Sequence, residues 1–242
     1  MTMTGPGPRG RQLSLFGVEA RPPTPLDLEG LLAGAGQVTR MGGTARVSIV
    51  VDAAWRVAAL RAECALRGLA STWEASAAYR KTAPQSDEHQ GGPRAGGAGS
   101  GGRRETTDEN HLAFRTAYAA VLAPLGSRWL RGAVKFPPAG FALDGRRLRL
   151  WVIAGGRPDG SQAYFLRLGA SDATRLPEFV EATEPVWDAV GGALAAAGLP
   201  AVLLGPRAGG PAYRIVGRRR LARLAELIGE PPPQAPPDQW PV

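Results

Sequence analysis

The sequence predicts an α+β protein built as two similar halves around a central pair of helices. Three observations carry that reading. First, two apolar stretches rich in small residues occur at matching places: Leu28–Gly36 (Leu-Glu-Gly-Leu-Leu-Ala-Gly-Ala-Gly) and Leu148–Gly156 (Leu-Arg-Leu-Trp-Val-Ile-Ala-Gly-Gly). Small residues let helix backbones approach closely and glycine suits a helix end, so the two read as helices packed at a pseudo-two-fold axis. Second, a helix ending on Gly-Leu and passing into a strand occurs twice, at 65–73 and 195–203. Third, each half can be written as helix, strand or strands, helix, strands, helix.

The elements follow in order. Residues 1–25 are a Gly/Pro/Thr/Arg tail without periodicity, expected to be disordered. Asp27 is the expected N-cap of the first central helix. Gly42-Gly43 make a turn, and Arg46–Val51 is a β-branched strand. Asp52 is the expected cap of a helix near 53–66, which carries Trp55, Leu60 and Cys64 and ends at Gly68. A strand is expected over Thr72–Ala78. Residues 82–108 are nearly free of apolar side chains and form a flexible insertion. His111–Leu125 has helical spacing. Lys135-Phe136-Pro137-Pro138 leads to the second central helix, and a Gly/Pro/Asp turn follows it. Then come a strand at Gln162–Leu168, a helix near 180–197, strands at Pro200–Leu204 and Ala212–Val216, and a closing helix at Arg218–Ile228. The domain reading is a tail (1–25), a first half (26–138), a second half (139–230) and a frayed Pro-rich end (231–242).

Composition narrows the function. The 242 residues carry a net charge of +8, and lysine occurs only at Lys81 and Lys135. An arginine-rich positive balance favours polyanions, nucleic acid first. The single cysteine, Cys64, excludes an intramolecular disulfide or a thiolate metal cluster, and the two histidines, His89 and His111, do not suggest a metal site. The longest apolar run, near 189–205, is broken by glycines and Pro200, so no membrane span is expected. The expectation is a monomer of the cytoplasm, associated with the nucleoid. No phosphate-binding loop, dinucleotide fingerprint or catalytic triad is present, so no cofactor and no catalytic residue are assigned.

The tail holds one apolar island, Gln12-Leu13-Ser14-Leu15-Phe16. It resembles the bacterial sliding-clamp-binding pentapeptide at all five positions. Leu15 and Phe16 would fill a preformed apolar pocket, with Leu13 beside them and Gln12 at the rim. The resemblance implies the β subunit of DNA polymerase III, the sliding clamp, as partner, reached on a tether from Phe16 to Leu28.

Leu28, Gly30, Leu31 and Gly36 match the motif of the LAGLIDADG homing endonucleases. The second stretch is a looser copy that keeps Leu148, Ala154 and Gly156. The segment 213–229 resembles the closing strand and helix of a half in that family, and Lys135–Pro138 resembles its Lys-x-Ile-Pro. The resemblance implies a pseudo-two-fold pair of αββαββα halves with the motif helices at the centre. It also implies a metal-binding acid at the eighth motif position, where this chain has Ala35 and Gly155. Glu29 and Asp159 are the nearest acids.

The resemblance further implies that each sheet lies across the major groove with alternate residues facing the bases, a groove wide enough for a β-ribbon. The candidate DNA-facing residues are Arg46, Ser48, Tyr164, Arg167 and Arg214. Arg128, Arg131, Lys135, Arg218, Arg219 and Arg220 are candidates for backbone phosphates. The resulting expectation is a DNA-binding accessory protein without turnover, recruited to the clamp in replication or repair. A nuclease with a diverged centre and a transcriptional regulator on a degenerate scaffold are the alternatives.

Overall fold

The computed structural model describes residues 17–75, 111–169, 183–205 and 211–241. The first half runs α1 (Glu29–Ala33), β1 (Gln37–Met41), β2 (Thr44–Val51), α2 (Ala54–Ala65), β3 (Ser71–Ala75), β4 (Leu112–Thr116) and α3 (Ala123–Trp129). A short hairpin, β5 (Leu130–Arg131) and β6 (Val134–Lys135), links it to the second half. That half runs α4 (Gly145–Gly155), β7 (Gly156–Asp159), β8 (Ala163–Arg167), α5 (Thr183–Ala196), β9 (Val202–Leu204), β10 (Ala212–Val216) and α6 (Arg218–Ile228). Both halves are therefore αββαββα. The two antiparallel four-stranded sheets have the same order, β1-β2-β4-β3 and β7-β8-β10-β9. The pseudo-two-fold expectation holds at the level of topology.

The central helices pack as their composition demands. Leu148, Leu150, Trp151, Val152 and Ile153 of α4 are all nearly inaccessible, so the C-terminal part of this helix lies in the middle of the core, while Arg146, Arg147 and Arg149 stand nearer its start. It touches α1, α2 and α6. A Cβ at Gly30 would collide with the Arg147 carbonyl, and one at Gly34 would lie 2.6 Å from the Trp151 ring nitrogen. Glycine at these two places is what allows the close crossing.

Several local expectations are corrected. Asp27 is not the N-cap. A 3-10 turn at Pro25–Leu28 precedes α1, because Pro25 starts the turn early and Thr24 before it is extended. Asp27 reaches back to accept from the Thr24 amide and hydroxyl. Buried Arg67 pairs with the same carboxylate, as does Arg21. Asp52 does not cap α2 either; Ala53 occupies that place.

The segment expected to be helical from His111 begins instead with strand β4. Its Leu112, Ala113, Phe114 and Thr116 are buried, and pairing with β2 and β3 overrides the local helical spacing. Strand β7 occupies a stretch read as a turn, and β1 one with no expected element.

Residues 17–25 do not hang free. The Val18 amide donates to Leu227 O at the end of α6, and Arg21 also pairs with Asp144. The tether expected to run from Phe16 to Leu28 is thus anchored at Val18. At the other end Trp240 is buried and its indole donates to Gly229 O, so the C-terminal segment is packed rather than frayed. Residues 76–110, which contain the expected insertion 82–108, lie outside the described residues.

Candidate nucleic-acid interface

Each sheet buries one face against helices and leaves the other outward. In β2, Ala45, Val47, Ile49 and Val51 are core, so Arg46 and Ser48 face outward as expected. Strand register extends this face into rows. In the first half one row reads Gln37, Ser48, Arg115, Thr72 across β1, β2, β4 and β3. In the second half the matching row reads Arg157, Phe165, Arg214, Val202 across β7, β8, β10 and β9. The two arginines in the same column, Arg115 and Arg214, are tied to acids on their own sheets. Arg115 Nη1 lies 2.7 Å from Glu74 Oε1, and Arg214 Nη2 lies 2.7 Å from Asp159 Oδ2.

The other candidates fall in different places. Arg167 stands two residues from Phe165 on the outward face, with its side chain about half exposed. Tyr164 is inward, which corrects its assignment. It is 1% exposed, its hydroxyl donates to Gln239 O at 2.9 Å, and burial pushes its phenol pKa up. Tyr164 and Arg167 are three residues apart in one strand, and odd spacing puts them on opposite faces.

Lys135 is also corrected, because it is buried. Its ammonium donates to Gly34 O at 2.9 Å and Gly36 O at 2.8 Å. Arg128 is partly exposed and pairs with buried Glu29, which also accepts from Arg147 and the Trp129 indole. Glu29 is therefore part of the core. Arg131 is exposed and stacks over Phe136. Arg46 stacks over Tyr118, 4.8 Å from the ring centroid. Arg218, Arg219 and Arg220 form the exposed first turn of α6, where they oppose the helix dipole. The pentapeptide Gln12, Leu13, Ser14, Leu15 and Phe16 lies outside the described residues.

Two outward arginines had no signal in the sequence reading. Arg157 sits in a Gly-Gly-Arg-Pro-Asp-Gly run that looks like a turn, and Arg115 sits in a stretch with helical spacing. Only the strand register brings them onto the faces.

The feet of the central helices are where the resembled family holds its metal. The residues here do not fit one. Ala35 and Gly155 offer no side-chain oxygen, and each foot is met by a cation. Lys135 caps α1, and buried Arg56 caps α4, donating to Val152 O, Ile153 O and Gly156 O at 2.6–3.2 Å. A fixed positive charge at each foot opposes a divalent ion. Among the described residues no three His, Cys, Asp or Glu cluster in a way that could hold a metal ion.

Asp52 belongs to this region. Its Oδ1 accepts from Arg56 Nε at 2.8 Å, and its Oδ2 faces Arg157 at 3.2 Å and Arg167 at 3.3 Å. Burial would raise its pKa, but the charges of Arg56, Arg167 and Arg157 outweigh that and hold the carboxyl below its ordinary value. Cys64 is buried and its thiol is pushed up to about 12, so it is core rather than a reactive group. No helix among the described residues is long and apolar enough to cross a membrane.

The sequence matches no family model and no curated protein. Solved structures do resemble the fold. The homing endonuclease I-WcaI bound to its DNA recognition sequence is 8% identical, with 97% of this chain and 93% of that chain covered and a TM-score of 0.48. I-DmoI in complex with DNA and Mn is 11% identical, with 86% and 97% covered and a TM-score of 0.37. The likeness is one of fold alone. It does correct one expectation. The solved structures similar in fold include a homing endonuclease, which is an enzyme, so the exclusion of turnover is withdrawn.

Proposed function

We propose that this chain is a DNA-binding accessory protein that lays its two sheet faces along duplex DNA. A sliding clamp would recruit it through Gln12–Phe16, in bacterial replication or repair. The observation that carries the DNA reading is the pair of matched outward rows, each with an arginine in its third strand, on sheets of identical order. The outward faces expose Thr72, Arg167 and Val202, and their strands suit a groove of the width of the major groove. The net charge of +8 supplies the non-specific attraction. Because the internal repeat provides both faces, one copy of the chain suffices. The soluble nucleoid is the compartment this reading implies.

The clamp reading rests on the complete match of the pentapeptide. The anchoring of Val18 at Leu227 adds a constraint: a clamp bound to Gln12–Phe16 would sit close to the C-terminal end of α6. Calorimetry with purified clamp tests this. Wild type should bind with a Kd on the order of micromolar, as expected for a short segment that orders on binding, and Leu15→Ala/Phe16→Ala should abolish it. Equal binding by both proteins would remove the peptide from the account.

A further inference from the structure

We infer that Arg157 and Arg167 form a phosphate clamp at the foot of α4, positioned by Asp52, which takes a backbone phosphate of bound nucleic acid without a divalent ion. The inference rests on the DNA-binding reading above and assigns chemistry to its centre. Asp52 comes from the first half and the two arginines from the second, so the site lies where the halves meet. Three guanidiniums face one carboxylate. Arg56 is buried and spends its donors on Asp52 and on the α4 carbonyls. Arg157 and Arg167 are different. Their side chains are 49% and 53% exposed, and each gives Asp52 one long contact.

A guanidinium carries five N–H donors in a planar fork, so both keep donors for an outside acceptor. The local charge balance is three positive against one negative. A phosphodiester oxygen pair matches that surplus and that geometry. A divalent cation does not, because it would meet three positive charges and a carboxylate already paired.

The site is one-sided. The register that matches Gln37 with Arg157 and Ser48 with Phe165 puts Val50 where Arg167 stands. The foot of α1 therefore has glutamine and valine in place of the two arginines. One phosphate would be gripped near α4, with no counterpart at the matching positions near α1.

The test is binding of a fluorescent duplex to the full chain in EDTA and in magnesium, for wild type, Arg157→Gln/Arg167→Gln and Arg157→Lys/Arg167→Lys. Inorganic phosphate is titrated in parallel while the arginine Nε–H resonances are followed. Wild type should bind equally with or without magnesium. The glutamine pair should weaken binding at least tenfold and flatten the salt slope by about two, one for each lost contact. The lysine pair, which keeps the charge and loses the fork, should fall between. Phosphate should shift the Arg157 and Arg167 resonances.

Equal affinity in all three proteins, or binding that requires magnesium, would overturn the clamp. A duplex bound by none of them, with the phosphate shifts still present, would instead overturn the DNA reading and leave the anion site standing. Absence of both signals would remove the site. Thermal melting of each variant shows whether a loss reflects unfolding, and the lysine pair is the control least exposed to it.

Discussion

The feet of the two central helices solve the same problem with different parts. Both helices end in carbonyls that no intrahelical amide reaches, and both ends are deep in the protein. At α1 a single ammonium, Lys135, reaches in from the linking hairpin and meets two carbonyls. At α4 a guanidinium, Arg56, comes from the partner half, meets three, and is itself held by Asp52. Asp52 then carries the network outward to Arg157 and Arg167, while the matching positions near α1 hold Gln37 and Val50. One foot is closed off by its cap and the other is wired to the surface. Equal topology has thus been given unequal electrostatics at the two feet, with Gln37 and Val50 on the α1 side at the places of Arg157 and Arg167 on the α4 side.

Substitutions can break this comparison, beginning with the largest effect. Arg56→Met should cost about 4 kcal/mol, because it strips three buried carbonyls of their donor and removes the partner that pins Asp52. Gly30→Ala should cost about 3 kcal/mol, since its Cβ collides with backbone at Arg147 and only separation of α1 from α4 relieves it. Gly155→Ala is the contrast: its Cβ would meet the Arg167 Cβ at 3.3 Å, a contact that a small shift accommodates, so its cost should stay under about 1 kcal/mol. Lys135→Met, which strands two carbonyls, should cost about 2 kcal/mol. Urea midpoints at constant m-value rank all four. A cost for Lys135→Met equal to or above that for Arg56→Met would show that the α1 foot is the more heavily used.

Acid sharpens the comparison further. Burial alone would raise the Asp27 carboxyl, yet the Thr24 amide and the charges of Arg21 and Arg67 hold it below its ordinary 3.8. Asp52 is lowered in the same way by Arg56, Arg167 and Arg157. A depressed pKa contributes stability that is fully present above the unfolded value and is lost as pH falls through the folded one. Stability should therefore be level near neutrality and decline once the pH drops below about 4. Asp27→Asn should be less stable near neutral pH and flatten that acid limb, read from urea melts across pH.

What could be read beforehand follows from how local each signal is. The motif helices, the Gly-Leu exits from α2 and α5, the strand at Arg46–Val51 and the closing pair β10 and α6 all carry their pattern within a few residues. Strand β4 does not. Its Phe114 and Tyr118 have helical spacing, and only pairing with Ser48–Val51 on one side and Ser71–Ala75 on the other makes Leu112–Thr116 a strand. Strand β7 hides behind Pro158 and two glycines. The site was legible in the same measure. Arg46, Ser48, Arg167 and Arg214 lie on the outward faces, while Tyr164 and Lys135 turned inward because face and depth depend on register and on a distant hairpin. Asp52 was read as a cap, since nothing nearby in sequence announces that Arg157 and Arg167 come to meet it.

The measurement that tests the central claim most directly is duplex binding as a function of salt for wild type, Arg115→Gln and Arg214→Gln. If both sheet faces contact DNA, the wild-type slope of log K against log salt is steep. Each substitution should then weaken binding and lower that slope by about one unit, to a similar extent in the two halves. If the wild type shows no affinity at low salt, or if both variants bind as the wild type does, the outward faces are not where nucleic acid is held.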